Sequence, residues 1–214
     1  MEEQEGEAGR EKHELDLGSI YHQEGDDYAS CLRRLYSING SLNSNGIVMP
    51  NNLNGTIRLY RLLGSPLDRI PTIHVGGTNG KGTTSFKIAQ CLRAAGLKTG
   101  LFVSPHISSF RERIQVNNEL MSEADVVEML PRIFKLCVEN GIPATLFEVT
   151  FLLACLKFDL SHCDAVVIEV GLGGKFDATN VISTICSVIC SVSLDHTRIL
   201  GSTVEAIARV KAGL

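Results

Sequence analysis

The sequence lacks the features expected of a membrane-spanning, zinc-binding or nucleic-acid-coating protein. A helix needs about 18 apolar residues to cross a bilayer, and no apolar run in the sequence is that long. There is no CxxC pair, which argues against a structural zinc site. The 20 lysines and arginines are outnumbered by 24 aspartates and glutamates, so the net charge of -4 supplies no broad positive field for nucleic acid or an anionic membrane. We therefore expect no nucleic-acid or membrane partner, and any anion must be bound locally.

The contents of apolar residues and cysteines fit a globular protein from a reducing compartment. Apolar residues make up 44% of the 214 residues, enough for a sizeable core in one domain or in one domain and part of a second. The seven cysteines are an odd number, and most lie in apolar stretches where a free thiol behaves as a small hydrophobic group. We interpret Cys186 and Cys190 as residues of a buried strand.

Residues 1–27 differ in composition from the rest of the chain. They are acidic and have no sustained apolar periodicity, which predicts a disordered leader. Their acidity argues against a mitochondrial transit peptide, and they have no apolar core of the kind a secretory signal needs. We expect a cytosolic protein rather than a mitochondrial one, with residues 28–214 forming a single domain.

The rest of the chain reads as strands that alternate with helices. The segments "TIHVGG", "TGLFVS", "RIQVN", "DAVVIEV" and "TICSVICSVS" predict strands. Apolar spacing and capping residues predict helices over residues 28–38, 56–64, 80–96, 122–138, 145–158 and 202–211. Near-continuous apolar strands between helices indicate an α/β fold with a mainly parallel, doubly wound sheet flanked by helices.

The segment "HVGGTNGKG", residues 74–82, carries four glycines and one lysine between a predicted strand and a predicted helix. Backbone N–H groups in such a loop, together with the positive end of the helix dipole, favour a polyphosphate. Lys81 is placed to reach the outer phosphates, and Thr83 to bind a phosphate-bound magnesium ion. The spacing departs from the standard P-loop because Gly82 separates Lys81 from Thr83, and a polar turn without a ligand is the alternative.

Polar residues follow three apolar strands at Ser104, Glu169 and His196. Because the carboxyl ends of parallel strands line one crevice, we expect these side chains to converge there. A carboxylate that ends an apolar run needs a cationic partner. Taken alone, Ser104 is more typical of a turn before Pro105, and His196 of a capping or core histidine.

Other charged residues leave two interpretations open. His106, Arg111 and Arg113 either contact an anionic substrate or belong to a solvated loop, and Glu148 is either a buried polar partner or a cleft residue. Lys211 lies near a helix C-terminus, where the dipole favours a cation in any case.

Five linked motifs resemble those of the folylpolyglutamate synthase and dihydrofolate synthase family of the Mur ligase superfamily. They are "HVGGTNGKGTT", "SPHISSFRERIQVN", "EVGLGGKFDATNV", "SLDHTRILG" and "VKAGL", and the resemblance spans roughly residues 28–214. It implies a P-loop fold of the Mur ligase central-domain type and ATP-dependent amide formation. In that reaction a folate carboxylate takes the γ-phosphoryl group of ATP, and the amine of L-glutamate then displaces phosphate from the acyl phosphate.

The resemblance also assigns roles to residues of this chain. The implied ATP-binding residues are Gly77, Thr78, Asn79, Gly80, Lys81, Gly82, Thr83 and Thr84. The implied magnesium ligands are Thr83, Ser104, Glu169 and His196, and the implied catalytic residues are Lys81, His196 and Lys211. The implied folate-binding residues are Asp177 and Asn180. Lys211 takes the place of a lysine that many family members carbamylate. The implied cofactors are ATP and Mg²⁺, with K⁺ as a further candidate, the implied partners are folate and L-glutamate, and a monomer is expected.

The family's chains run further than this one, so the resemblance implies a domain truncated before the C-terminal domain. Folylpolyglutamate synthase activity is the main hypothesis, and dihydrofolate synthase activity shares the same motifs. A nucleotide-binding fragment without catalysis is a further alternative. A P-loop kinase or GTPase is less supported, because the chain has Glu169 where a Walker-B aspartate would stand and has no NKxD motif.

Overall fold

The computed structural model of the protein describes residues 27–42 and 52–214. The α-helices of these residues are α1 Tyr28–Leu42, α2 Asn54–Leu62, α3 Lys81–Ala94, α4 Glu123–Glu139, α5 Leu146–Leu160, α6 Thr197–Leu200 and α7 Val204–Lys211. The strands are β1 Thr72–Gly76, β2 Thr99–Phe102, β3 Ile114–Val116, β4 Glu119–Leu120, β5 Ala165–Glu169 and β6 Cys186–Ile189. Short 3₁₀ turns span Phe110–Arg113 and Ala178–Val181. The predicted strands and helices are present, within a few residues of the expected boundaries; β4 and α6 were not predicted.

The six strands form one sheet in the order β4-β3-β2-β5-β1-β6. Strands β2, β5, β1 and β6 are parallel, whereas β3 is antiparallel to β2 and β4 is antiparallel to β3. The prediction of a mainly parallel sheet flanked by helices is therefore confirmed, with an antiparallel hairpin added at one edge. Asn117 and Asn118 form the hairpin turn at φ 53° and 70°, a backbone region that asparagine tolerates better than most residues.

Helices cover the sheet unequally on its two faces. On one face α3 packs over a small cluster formed by Val75, Ala89, Leu101 and Val167. The other face carries the large core, to which α1, α2, α4 and α5 all contribute. Helix α5 is buried on almost every side, which explains why its sequence is apolar all round rather than amphipathic.

Capping boxes fix where the two longest buried helices begin. In α4 the side chains of Ser122 and Asp125 bond each other's backbone N–H groups, and Thr145 and Glu148 do the same in α5. Glu148 also accepts a hydrogen bond from the hydroxyl of Thr56 at 2.5 Å. Of the two interpretations left open for Glu148, the structure therefore favours the polar partner, with the side chain half-buried rather than buried.

Strand β6 is the element that departs most from its prediction. It lies at the edge of the sheet, Cys186 is exposed, and Cys190 follows the end of the strand and is half-buried. Ile185 and Ile189 are 71% and 42% exposed. The interpretation of a buried strand is wrong here, because an apolar run alone does not distinguish a covered strand from an edge strand with one open side. None of the seven cysteines, all of which lie in the described residues, forms a disulfide, and Cys31, Cys137, Cys155 and Cys163 are buried as expected.

Some predictions fall on residues that the structure does not describe. The leader predicted for residues 1–27 lies outside the described residues except for Asp27, and so does most of the loop between α1 and α2. In the ranges that are described, no helix combines the length and the apolar character that crossing a membrane requires.

Candidate functional site

The glycine-rich loop joins β1 directly to α3, as the sequence predicts. Gly77 and Gly80 adopt φ values of 138° and 84°, which residues with a side chain rarely adopt. A Cβ on Gly77 would also lie 3.1 Å from the backbone nitrogens of Cys190 and Ser191. Glycine at position 77 is thus required both by its conformation and by the close approach of another segment. We call residues 76–83 the phosphate loop.

A segment after β6 holds the phosphate loop in shape. The N–H of Thr78 donates to the carbonyl of Ser191 at 2.8 Å, and the N–H of Asn79 donates to the hydroxyl of Ser191 at 2.9 Å. The hydroxyl of Ser191 in turn donates to the carbonyl of Asn79, and the N–H of Ser193 donates to the hydroxyl of Thr78 at 3.1 Å. Sequence reasoning missed these serines; their position just after a parallel strand was the available signal.

The first turn of α3 leaves backbone donors available at the loop. The first helical bond runs from the N–H of Thr84 to the carbonyl of Gly80 at 2.9 Å. No backbone acceptor is paired with the N–H of Lys81, Gly82 or Thr83 in the part of the chain that the structure describes. Three successive N–H groups at a helix start are a favourable setting for an anion.

Two lysine ammonium groups share one carbonyl of the phosphate loop. The Nζ of Lys81 donates to the carbonyls of Gly77 and Thr78, both at 3.1 Å, and the Nζ of Lys211 donates to the carbonyl of Gly77 at 2.8 Å. Lys211 is only 4% exposed. Burial lowers the pKa of Lys211, the charge of Lys81 lowers it further, and Asp195 acts in the opposite direction. The end of α7 is thereby attached to the phosphate loop.

The carboxylate of Glu169 ends β5 on the same side of the sheet. It is 3% exposed, and its Oε2 accepts a hydrogen bond from the N–H of Ser104 at 2.9 Å. A Cβ on Gly82 would lie 3.5 Å from the same oxygen. Burial raises the pKa of Glu169, while the Ser104 N–H and the charge of Lys81 lower it. The structure therefore brings together Lys81 and Ser104, which follow β1 and β2, and Glu169, which ends β5.

Among the described residues no hydrogen bond or ion pair joins the other predicted magnesium ligands, Thr83 and His196, to Glu169. His196 is exposed, immediately precedes the short helix α6 at φ 46°, and its Nε2 lies 3.7 Å from a carboxylate oxygen of Asp195. The side chain of Thr83 is exposed. Among the described residues no group of three or more histidines, cysteines, aspartates or glutamates is arranged to hold a metal ion. The roles of His196 and Thr83 stay predictions.

The predicted folate-binding residues lie in a loop over residues 171–181, and both have internal partners. The carboxylate of Asp177 accepts from the N–H of Leu172 at 2.8 Å, and from the N–H of Thr179 at 3.0 Å and its hydroxyl. Burial raises the pKa of Asp177, and these hydrogen bonds oppose the rise. The amide of Asn180 donates to the carbonyl of Gly213 at 2.9 Å. Both residues give the loop its shape, and their contact with a substrate stays a prediction.

The loop after Ser104 is organised by its own charged residues. Glu112 accepts from the N–H groups of Ile107, Ser108 and Ser109 at 2.8, 2.9 and 2.6 Å, and these bonds lower its pKa. The Nε of Arg113 donates to Nδ1 of His106 at 2.8 Å, so the proton of the neutral imidazole lies on Nε2. Sequence reasoning missed the role of Glu112.

Comparison with known proteins finds similar sequences and similar solved structures. No family model matches the chain. The dihydrofolate synthase/folylpolyglutamate synthase of Bacillus subtilis is 44% identical over 163 residues, which cover 73% of this chain and 38% of that protein. The solved structure of Escherichia coli FolC in complex with DHPP and ADP has a TM-score of 0.79 at 35% identity and covers 87% of this chain and 44% of that chain. A folylpolyglutamate synthase complex with AMPPCP and folate has the same TM-score and identity, with 87% of this chain and 45% of that chain covered. The chain spans less than half the length of these proteins.

Proposed function

We propose that this chain, which belongs by sequence and fold to the folylpolyglutamate synthase/dihydrofolate synthase family, carries the nucleotide-binding part of an ATP- and magnesium-dependent ligase that adds L-glutamate to a folate carboxylate. The observation that carries the proposal is the meeting of the phosphate loop with a buried carboxylate from another strand. They meet at the carboxyl ends of β1 and β5. The groups found there are Gly77 and Gly80, the ammonium of Lys81 and the carboxylate of Glu169.

The phosphates of ATP fit the donors that the loop provides. The unpaired N–H groups of Lys81, Gly82 and Thr83 supply hydrogen bonds, and the ammonium of Lys81 supplies the charge. In the structure this ammonium donates hydrogen bonds to two carbonyls of its own loop. A change of side-chain rotamer would let it donate to a phosphate oxygen instead. An ammonium gains more from a phosphate than from neutral carbonyls, because both partners are then charged.

The residues beside the loop suit a magnesium ion. Glu169 is a buried carboxylate, and the hydrogen bond from the N–H of Ser104 uses only one of its oxygens, so it retains lone pairs for a cation. Ser104 and Thr83 are the hydroxyl candidates, and Mg²⁺ accepts such oxygens together with water and phosphate. When bound, the ion would neutralise phosphate charge during transfer. His196 is a less usual partner for magnesium because the ion prefers oxygen.

The reaction proposed for the whole protein is a phosphoryl transfer followed by an acyl transfer. The folate carboxylate attacks the γ-phosphorus as the bond to ADP breaks, and the glutamate amine then attacks the acyl carbon while phosphate leaves and the amine loses a proton. The chain's own contribution is to bind and orient the nucleotide, since such transfers depend on positioning and charge stabilisation. Lys211 contributes by holding the carbonyl of Gly77.

The choice between two folate reactions depends on the substrate. The Bacillus subtilis relative carries the names of both synthases, so shared motifs do not separate the reactions. We propose γ-linked extension of a folate tail as the main activity, with joining of glutamate to dihydropteroate as the alternative. Cytosolic location and a monomeric state remain predictions from the sequence.

A coupled assay tests this proposal. In the whole protein that contains this chain, phosphate release is measured with Mg-ATP, L-glutamate and either tetrahydrofolate or dihydropteroate, and mass spectrometry follows the extended product. Glutamate-dependent phosphate release with tetrahydrofolate, absent in Lys81→Ala but retained in Lys87→Ala, is the expected result. Nucleotide binding with no glutamate-dependent release from either substrate would instead support a nucleotide-binding module without catalysis.

A further inference from the structure

A buried histidine in the strand that leads into the phosphate loop is not used by the proposed reaction. His74 lies in β1, opposite Ile168 of β5 and Ser187 of β6, and its side chain is fully buried. Burying an imidazole among strands is costly unless its polar atoms find partners. Its Nε2 lies 2.8 Å from the hydroxyl of Thr179, in the 171–181 loop. This contact joins the central strand to the loop in which the predicted folate-binding residues lie.

The direction of the hydrogen bonds follows from the groups around Asp177. Both oxygens of this carboxyl group accept backbone N–H groups, Oδ2 from Leu172 and Oδ1 from Thr179. The hydroxyl of Thr179 also donates to Oδ1, and this uses its only proton. The oxygen of Thr179 is then left as an acceptor, and His74 must donate to it from Nε2.

The second nitrogen of His74 supports the same assignment. Nδ1 is buried and has no hydrogen-bond partner in the described part of the chain. If the proton were on Nδ1, a buried N–H would be left without an acceptor, which is rarer in folded proteins than an unpaired acceptor. With the proton on Nε2, only a lone pair is left unpaired. The chain of donors therefore runs from His74 to Thr179 to Asp177.

We infer that His74 is a positioning residue that acts through Thr179 and Asp177 to fix the 171–181 loop relative to the phosphate loop. His74 is two residues before Gly76, so one short strand carries both the anchor of the 171–181 loop and the start of the phosphate loop. The carboxylate of Asp177 closes the loop by holding the N–H of Leu172. This inference rests on the proposed function, because it assigns the loop's fixed shape to the presentation of a folate carboxylate beside the γ-phosphate of ATP.

The first test reads the proton position directly. Long-range ¹H–¹⁵N NMR spectra of the whole chain, with the His74 signals assigned from a His74→Gln variant, should show the Nε2–H tautomer. Thr179→Ser should keep this signal, and Thr179→Val should shift it and expose the ring proton to exchange. A proton on Nδ1, or a spectrum unchanged by Thr179→Val, would overturn the inference.

The second test measures amide hydrogen exchange in the 171–181 loop. In Thr179→Val and His74→Leu, the amide protons of Leu172 and of residue 179 should exchange at least about tenfold faster, as expected for the loss of one buried hydrogen bond. Thr150→Val is the matched control, because Thr150 is equally buried and its hydroxyl donates within α5 to the carbonyl of Leu146. Unchanged exchange in Thr179→Val would contradict the positioning role even if His74→Leu failed to fold.

The third test separates this inference from the proposed function. Tetrahydrofolate affinity should fall about tenfold in Thr179→Val, with Mg-ATP affinity changed less than about twofold and Thr179→Ser close to the unmodified chain. Faster exchange together with unchanged folate affinity would overturn the inference. Both affinities are measured in the whole protein that contains this chain. Absence of folate binding by that protein without substitutions would contradict the proposed function instead, and the exchange result would then decide the positioning role alone.

Discussion

The carboxylate of Glu169 lies beside Gly82, in the first turn of the helix that begins at Lys81. A Cβ on Gly82 would lie 3.5 Å from Oε2 of Glu169, and the positive charge of Lys81 opposes the rise in pKa that burial imposes on Glu169. Residues from the start of α3 and the end of β5 therefore face the same space. This is the arrangement that the proposed site for a magnesium nucleotide needs.

Removing the ammonium of the phosphate loop should weaken nucleotide binding. We expect Lys81→Ala to lower the affinity for Mg-ATP by about tenfold to hundredfold, because a charge-assisted bond to phosphate is lost. Isothermal titration calorimetry measures the affinity. Lys87→Ala, an exposed lysine of the same helix, is the control and should bind like the unmodified chain. Equal affinity of the Lys81 and Lys87 variants would contradict the assignment of the phosphate loop.

The buried imidazole of His74 should make the fold sensitive to acid. Burial lowers the pKa of His74 from 6.5 to about 4. Between these values the unfolded chain binds more protons than the folded chain, so stability falls as the pH drops from about 6.5 towards 4, by at most about 3 kcal/mol.

His74→Gln removes this titration and provides the comparison. Urea unfolding at pH 7 and pH 4.5 should show a smaller loss of the free energy of unfolding in the variant than in the unmodified chain. Parallel pH profiles for the two proteins would show that His74 is not buried in its neutral form.

The packing of β2 against α5 should not tolerate a side chain at position 100. A Cβ on Gly100 would lie 2.7 Å from the ring of Phe158, which is fully buried. We expect Gly100→Ala to destabilise the fold by about 1–3 kcal/mol, as overpacking does in other cores. Chemical denaturation measures this change. In a Phe158→Leu background the cost of Gly100→Ala should shrink, and an equal cost in both backgrounds would show that the ring is not the cause.

The exposed edge at β6 should promote self-association at high concentration. Ile185 and Ile189 are exposed beside β6, whose outer edge pairs with no other strand of the described residues, a combination that favours pairing between chains. We expect Ile189→Lys to reduce self-association in sedimentation velocity experiments. Leu62→Lys, an exposed apolar residue of α2, is the control and should have little effect. If both variants behaved like the unmodified chain, the β6 edge would not be the contact surface.

The strand, loop and helix around Lys81 could be predicted from sequence because their signals are local. Apolar strand residues, glycines and a helix start follow one another within a short segment, and the chemistry of the loop follows from that order. Glu169 could also be predicted, since a carboxylate that ends an apolar run stands out against its neighbours.

Other parts of the site depend on contacts between distant segments. The bonds of Ser191 to the phosphate loop, and the bond of Lys211 to Gly77, join residues more than 100 positions apart that carry no pairing signal in a single sequence. The exposure of β6 depends on its place in the sheet order, which an apolar pattern does not encode. The sequence places His74 in a strand but does not predict its hydrogen bond to Thr179.

The most direct test of the account is the magnesium dependence of nucleotide binding in a Glu169→Gln variant. Glutamine keeps the size of the side chain but removes the negative charge that would bind the ion. Calorimetry with ATP, in the presence and absence of Mg²⁺, should show that the unmodified chain gains affinity from the ion, whereas Glu169→Gln keeps the magnesium-free affinity and loses most of that gain. An equal gain in the two proteins would contradict the claim that the phosphate loop and Glu169 form one site for a magnesium nucleotide.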